Sequence, residues 1–333
     1  MRNLGAPGKR ARAEGTVPRS ARSVAFVQSG APNFSPGVHA VTSSPEESQV
    51  YDLYDDYCHG RIQRRDFFQR AAMMTVGGVS ALALAESLLP AYAEAQTVSF
   101  TDERIRPVYV DYPSPGGNSG TMRGYLVQPA GEGPFPAVLV VHENRGLNPY
   151  VKDVARRAAV AGFLALAPDG LAPVGGYPGN DDDGRALQRS LDGDKLRQDM
   201  VNSARYLKSH DLSTGQLGAT GFCWGGSTTN FLAVMLGDQL QAGVPFYGSA
   251  PDPSEVPAIH AAMLVHYAEK DDWVNGTRAD YEAALKRSQA TYEMHSYPGT
   301  GHGFHNNSTP RYNEAAAELA WSRTIAWFRQ HLS

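Results

Sequence analysis

An α/β fold, with a mostly parallel twisted sheet covered by helices on both faces, is what this 333-residue sequence predicts. Three observations carry that expectation. Short strand-like runs alternate with helix-like segments from about residue 106 onward, the pattern of parallel crossovers. Residues 136–141 form an unbroken apolar run, as a strand covered on both sides does. Finally, Gly221-Phe222-Cys223-Trp224-Gly225-Gly226 joins an apolar run to the helix-compatible segment 231–236. That is strand, sharp turn and helix, with a thiol at the apex.

Taken in order, residues 1–48 are rich in Ala, Gly, Ser, Pro and Arg without helical or strand period. They are expected to be disordered, or to reflect an over-long start. Residues 49–63 suit a short polar helix, so 1–62 is taken as a polar extension. Then come Gln63-Arg64-Arg65-Asp66-Phe67-Phe68-Gln69-Arg70, a weakly apolar run at 71–89, and two small-residue sites, Ala91-Tyr92-Ala93 and Ala93-Glu94-Ala95. Paired arginines, aromatics, a moderate apolar run and a small-x-small site describe a twin-arginine export signal over 63–95. The expected partner is the twin-arginine export machinery, and the expected location is periplasmic or secreted. No stable membrane anchor is expected after cleavage. A retained anchor is the alternative, but Thr75, Gly77, Gly78 and Ser80 make the run poorly hydrophobic.

Residues 96–333 are expected to form one α/β domain without a cap. Strands are predicted at 106–111 and 121–128, joined by a Pro- and Gly-rich turn at 113–118. The apolar strand 136–141, a helix at 149–161 and a strand at 163–167 follow. The stretch 168–184, with its glycines and Asp181-Asp182-Asp183, is predicted as a loop. A helix at 191–210 leads into the elbow strand. Beyond the elbow lie strands at 242–247 and 262–267, a helix at 277–288, a strand at 291–297 and a last helix at 310–330.

Composition narrows the function. A net charge of −4 without a basic face argues against nucleic acid as a partner. Cys58 and Cys223 are the two cysteines, and cleavage of the leader leaves one. A lone thiol in an exported protein is either buried or kept for chemistry. His142 and Glu143 are adjacent rather than at metal-ligand spacing, so no metal and no cofactor are expected.

The constellation around the elbow is the informative part. After the strand at 262–267 comes Ala268-Glu269-Lys270-Asp271-Asp272-Trp273, and after the strand at 291–297 comes Gly301-His302-Gly303-Phe304. Nucleophile, acid and base therefore follow one another as Cys223, Asp271 and His302, each after a strand. The imidazole accepts the thiol proton, and the carboxylate fixes its tautomer. Asp272 and His305 compete for the last two roles, and an Asp in a turn has an ordinary structural reading too. His142-Glu143-Asn144-Arg145 follows the strand at 136–141, where a second oxyanion donor is carried. The backbone N–H groups of Asn144 and Trp224 are thus the expected oxyanion hole. Glu143 is a carboxylate placed to hold or take the thiol proton, or else a surface loop residue.

These motifs, the Cys-bearing elbow with His142-Glu143 and Gly301-His302-Gly303-Phe304, resemble the dienelactone hydrolases (carboxymethylenebutenolidases) across residues 100–331. The resemblance implies an α/β-hydrolase fold and hydrolysis of a small ester or enol-lactone through an acyl-cysteine. It also implies that the family's carboxylate beside the thiol is Glu143. The paired arginines and the segment from Tyr51 to Arg65 resemble an exported subgroup. One departure concerns substrate: where the family carries an arginine four residues after the catalytic histidine, this chain has Asn306. Arg311, Arg145, Arg185 and Arg189 are the candidate replacements, with Trp224, Trp273 and Tyr177 as candidate pocket walls. The alternatives are a broad carboxylesterase or thioesterase on neutral acyl esters, and a catalytically silent binding protein of the same fold.

Overall fold

In the computed structural model the described residues are 45–58, 61–76, 79–81, 85 and 89–333, and they belong to one compact unit. Of the expected disorder at residues 1–48, positions 1–44 lie outside them, whereas 45–48 are helical. Two helices open the described chain, α1 (Pro45–Cys58) and α2 (Arg64–Ala72). Two-residue strands β1 (Thr75–Val76) and β2 (Val79–Ser80) then pair antiparallel inside the run at 71–89. Among the described residues no helix is long and apolar enough to cross a membrane.

The sheet is built from β3 (Ile105–Pro113), β4 (Thr121–Pro129), β5 (Phe135–Val141), β6 (Leu164–Pro168), β7 (Ser213–Phe222), β8 (Ala242–Phe246), β9 (Ala262–Lys270) and β10 (Tyr292–Gly301). Its spatial order is β10-β9-β8-β7-β5-β6-β4-β3. Only the β3–β4 and β4–β6 pairings are antiparallel, and every pairing from β6 to β10 is parallel. This is the predicted fold class.

The period of two along β5 explains the two helical layers. Val138 and Val140 face α3 (Pro149–Val160) and the terminal helix α9 (Glu314–His331), packing with Val154, Ala158 and Phe328. Ala137, Leu139 and Val141 face the other side, with Met200 and Ala204 of α5 (Gly193–Lys208), Leu232 of α6 (Trp224–Leu236) and Leu285 of α8 (Arg278–Arg287). These five β5 side chains are fully buried, and each valine or leucine among them contributes roughly 1.5–3 kcal/mol of apolar transfer. The parallel sheet then places the ends of β5, β7, β8, β9 and β10 along one edge, where sites form in such folds.

One expected loop is partly helical. Residues 181–184 belong to α4 (Asp181–Ser190), whose start is capped by the Asn180 side chain accepting from the Asp183 N–H. An asparagine followed by three acids is a helix start, because the acids meet the positive end of the helix dipole. The last helix begins four residues later than predicted, at Glu314, where Asn313 caps it.

Candidate active site

The elbow is the tightest turn of this edge. β7 ends at Phe222, α6 begins at Trp224, and Cys223 between them has φ 56° and ψ −115°. A non-glycine residue held there stores roughly 1–3 kcal/mol of strain. The neighbours allow the turn only because they are glycines. A Cβ on Gly221 would lie 2.3 Å from the Gly225 carbonyl oxygen, and one on Gly225 would lie 2.4 Å from that of Val141. Trp224 is the first helical residue, so its N–H has no acceptor within α6. The same holds for an anion-binding position above any helix start.

β9 delivers Asp271 and β10 delivers His302. Asp271 caps the short helix α7 (Asp272–Asn275), its other oxygen lying 2.6 Å from Nδ1 of His302. Both side chains are buried, whereas Asp272 is exposed, so burial and geometry select Asp271. Nδ1–H donates to Asp271, which turns Nε2 toward the reactive side. Burial opposes charge on His302, but the charge of Cys223 and the bond to Asp271 prevail and hold its pKa well above the usual range. His305 is a different kind of residue. It stacks on Phe222 at 5.1 Å and pairs with the Tyr150 hydroxyl at 2.7 Å, and burial keeps it neutral.

The loop after β5 is fixed by His142. Its Nδ1–H donates to the Glu143 carbonyl at 2.5 Å, and its Nε2 accepts from the Gly170 N–H at 3.1 Å. The ring stacks on Trp224 at 5.3 Å, tying this loop to the elbow. Burial pushes the His142 pKa down to about 4, so the ring is a neutral strut. Glu143 is buried, and its carboxylate accepts from Asn306 Nδ2 at 3.4 Å and faces Arg145 at 3.7 Å. Asn306 therefore sits on Glu143.

Three neutral buried histidines predict acid sensitivity. His142, His266 and His305 all have pKa values lowered by burial. Below pH 6.5 the unfolded chain protonates these rings while the folded chain does not, so stability falls as pH drops toward 4. For His142 alone the loss at pH 5 is about 2 kcal/mol. Urea unfolding at pH 7 and pH 5 measures it, with imidazole NMR shifts reporting the rings; protonated shifts for all three in the folded protein at pH 5.5 would contradict it.

The candidate substrate residues separate. Arg145 is buried between Glu143 and Asp181, the latter at 2.8 Å. Arg311 donates to the His302 carbonyl at 2.9 Å. Both line a small pocket with Glu143, His302 and Asn306. Trp273 is 63 % exposed and does not line that pocket. Asn144 is half-buried, and its side-chain oxygen accepts from Arg145 Nε at 3.4 Å. A larger concavity of about 400 Å³ beside β3, lined by Phe100, Val108 and Tyr109, contains none of Cys223, Asp271 or His302.

Tyr247 is a residue that motif reading missed. It follows β8 at the same edge, is buried with φ 36°, and its ring lies 5.0 Å from His302. Burial, then the neighbouring Tyr150, Glu143 and Cys223, push its pKa well up, so it remains a phenol. Its place directly after a parallel strand was the available signal.

Comparison with known proteins bears on the family and the fold. A sequence model of the Dienelactone hydrolase family matches residues 122–332, and a YqhI-like model matches 46–76. A Bradyrhizobium sp. protein named "Probable 2-oxo-3-(5-oxofuran-2-ylidene)propanoate lactonase" is 32% identical over 239 residues, covering 68% of this chain and 96% of that protein. The Escherichia coli (strain K12) "Putative hydrolase fragment YghX" is 63% identical over 115 residues, which are 34% of this chain and 97% of the fragment. The crystal structure of a "Putative Dienelactone Hydrolase" from Klebsiella pneumoniae superposes with a TM-score of 0.57 at 28% identity, covering 67% of this chain and 99% of that one. Since the family match runs essentially from β4 to the end of α9 and takes in the elbow and both later loops, the chain belongs to the dienelactone hydrolase family, hydrolases of the α/β-hydrolase fold.

Proposed function

We propose that the protein hydrolyses small esters or lactones through an acyl-Cys223 intermediate. The observation that carries this is the 2.6 Å bond from His302 to Asp271, beside a cysteine held at positive φ. The Cys223 thiolate attacks the carbonyl carbon, and the oxyanion that forms accepts from the N–H groups of Trp224 and Asn144. As the C–O bond breaks, the His302 imidazolium gives its proton to the leaving oxygen. Water then attacks the thioester, His302 takes a proton from it, and the carboxylic acid leaves with the thiolate restored. Asp271 stabilises the imidazolium throughout. Glu143 adds a carboxylate beside the thiol, positioned by Arg145 and Asn306.

A neutral acyl substrate is the second reading. Asn306 stands where the resemblance to the family implied an arginine, Arg145 is shared by two carboxylates, and Arg311 is bound to a backbone carbonyl. With its nearest arginines so engaged, the site lacks an uncommitted bidentate clamp for an acidic substrate. Arg64-Arg65 and the small-residue sites at 91–95 support twin-arginine export of the folded enzyme to the periplasm or beyond. A panel of p-nitrophenyl acetate, longer neutral esters and thioesters, and an acidic enol-lactone, read against Cys223→Ala, tests the whole. Turnover of neutral esters above the acidic lactone favours the second reading. No turnover above the alanine control anywhere in the panel would leave a silent binding fold.

A further inference from the structure

The wall of the small pocket beside Glu143 and His302 includes a residue from far outside the hydrolase domain. Tyr54 of α1, 1% exposed, lines the same pocket as Glu143, His302 and Arg311, with its ring 4.5 Å from the Arg311 guanidinium. One turn on, Tyr57 lies 4.2 Å from the Arg185 guanidinium, its hydroxyl donates to Asp182 at 2.5 Å, and its carbonyl accepts from Arg185. Arg64 of α2 reaches Asp182 at 3.1 Å. Tyr54, Tyr57 and Phe67 pack on one another, so α1 and α2 dock as a unit with a small core of its own. The segment also matches a separate family model over 46–76, which marks it as a module.

What remains beneath Tyr54 is about 20 Å³ of space for the centres of water-sized molecules. That is room for about one water and not for an ester. Cys223 is half-buried and does not line this space, so what Tyr54 and its arginine contacts confine is the room beside His302. We propose that residues 45–58 and 61–76 form an intramolecular plug, docked on Arg185, Asp182 and Arg311, that must leave before an ester fits between Glu143 and His302. This rests on the reading of Cys223 and His302 as the catalytic pair.

The physics of tethering makes the plug switchable. A short tether gives an effective concentration of about 1 mM, so a plug whose free segment binds with a Kd of about 0.1 mM is docked about ten to one. Cut from the domain and diluted, the same segment leaves. The plug lies wholly upstream of the small-residue sites at 91–95, so the cut that removes the leader also opens the cleft.

The test uses the full chain carrying Tyr54→Ala and Tyr57→Ala. Iodoacetamide modification of Cys223, read by peptide mass spectrometry to separate it from Cys58, is expected to accelerate about tenfold, and kcat/KM for p-nitrophenyl acetate to rise alike. Unchanged or slower modification in a folded variant would overturn the plug. Should the double variant not fold, Asp182→Asn loosens the same dock from the domain side, with the same expectation. Hydrogen exchange on the wild type adds an independent reading: bulky alkylation at Cys223 should expose the amides of residues 50–58, and retained protection there would also overturn it. Faster alkylation with no ester turned over would keep the plug and sink the hydrolase instead.

Discussion

Cys223→Ala is expected to lose at least about 10³-fold in kcat/KM on any ester the protein turns over. Without the sulfur no acyl-enzyme forms, and only the oxyanion donors and binding remain to help water attack. Cys223→Ser should recover little of this. The hydroxyl gives up its proton far less readily than a thiol, and a site arranged around a thiolate supplies no stronger base. Alanine and serine meet the same positive φ that cysteine does, so thermal stability should change only slightly. The measurement is steady-state kinetics on the panel beside a melting curve. Full activity in a folded Cys223→Ala protein would end the covalent mechanism.

Asp271→Asn is the second large effect, a loss of about 10³–10⁴-fold, the scale seen when the acid of such a triad is replaced by its amide. The amide cannot accept Nδ1–H as a carboxylate does, and its own N–H favours the tautomer with hydrogen on Nε2, the wrong nitrogen for a base. The charge that helps hold His302 protonated is removed as well. The sign follows from linkage. A raised folded pKa stabilises the fold fully below about pH 6.5 and loses that contribution as pH rises through the folded value. In the variant the titration of His302 should move down and part of this stabilisation should vanish. NMR titration of His302 in both proteins, on a Cys223→Ala background that removes the thiolate's larger influence, isolates the Asp271 share. An unmoved titration together with an unmoved rate would show that Asp271 is only a helix cap.

How much of this was legible beforehand differs from residue to residue. The alternation of strands and helices from residue 106 onward, the apolar run at 136–141 and the elbow glycines follow from local rules: period, apolar continuity and the space a Cβ needs. The order Cys223, Asp271, His302 was also readable, because a parallel sheet brings successive strand ends to one edge. The start of α4 was readable in principle from Asn180 and the acids after it, and loop composition concealed it.

Choosing between neighbours was not a local matter. Asp271 rather than Asp272, and His302 rather than His305, depend on which side chain the sheet edge turns inward and which it leaves in water or core. Arg145 and Arg311, open candidates in the chain, are committed to partners that only the packed fold supplies: Glu143 and Asp181 for the first, the His302 carbonyl and the Tyr54 ring for the second. Tyr54 over the cleft was beyond reach in the sequence altogether. Arg311 and His302 lie far downstream of it, and no spacing rule links positions that meet only because a sheet has closed around its core. Fold class, the elbow and the order Cys223, Asp271, His302 follow from the chain alone, since these are set by short-range sterics and periodicity. Which charges are paired, which ring is neutral and what covers the site were decided by tertiary structure, because burial and distance exist only once the chain is packed.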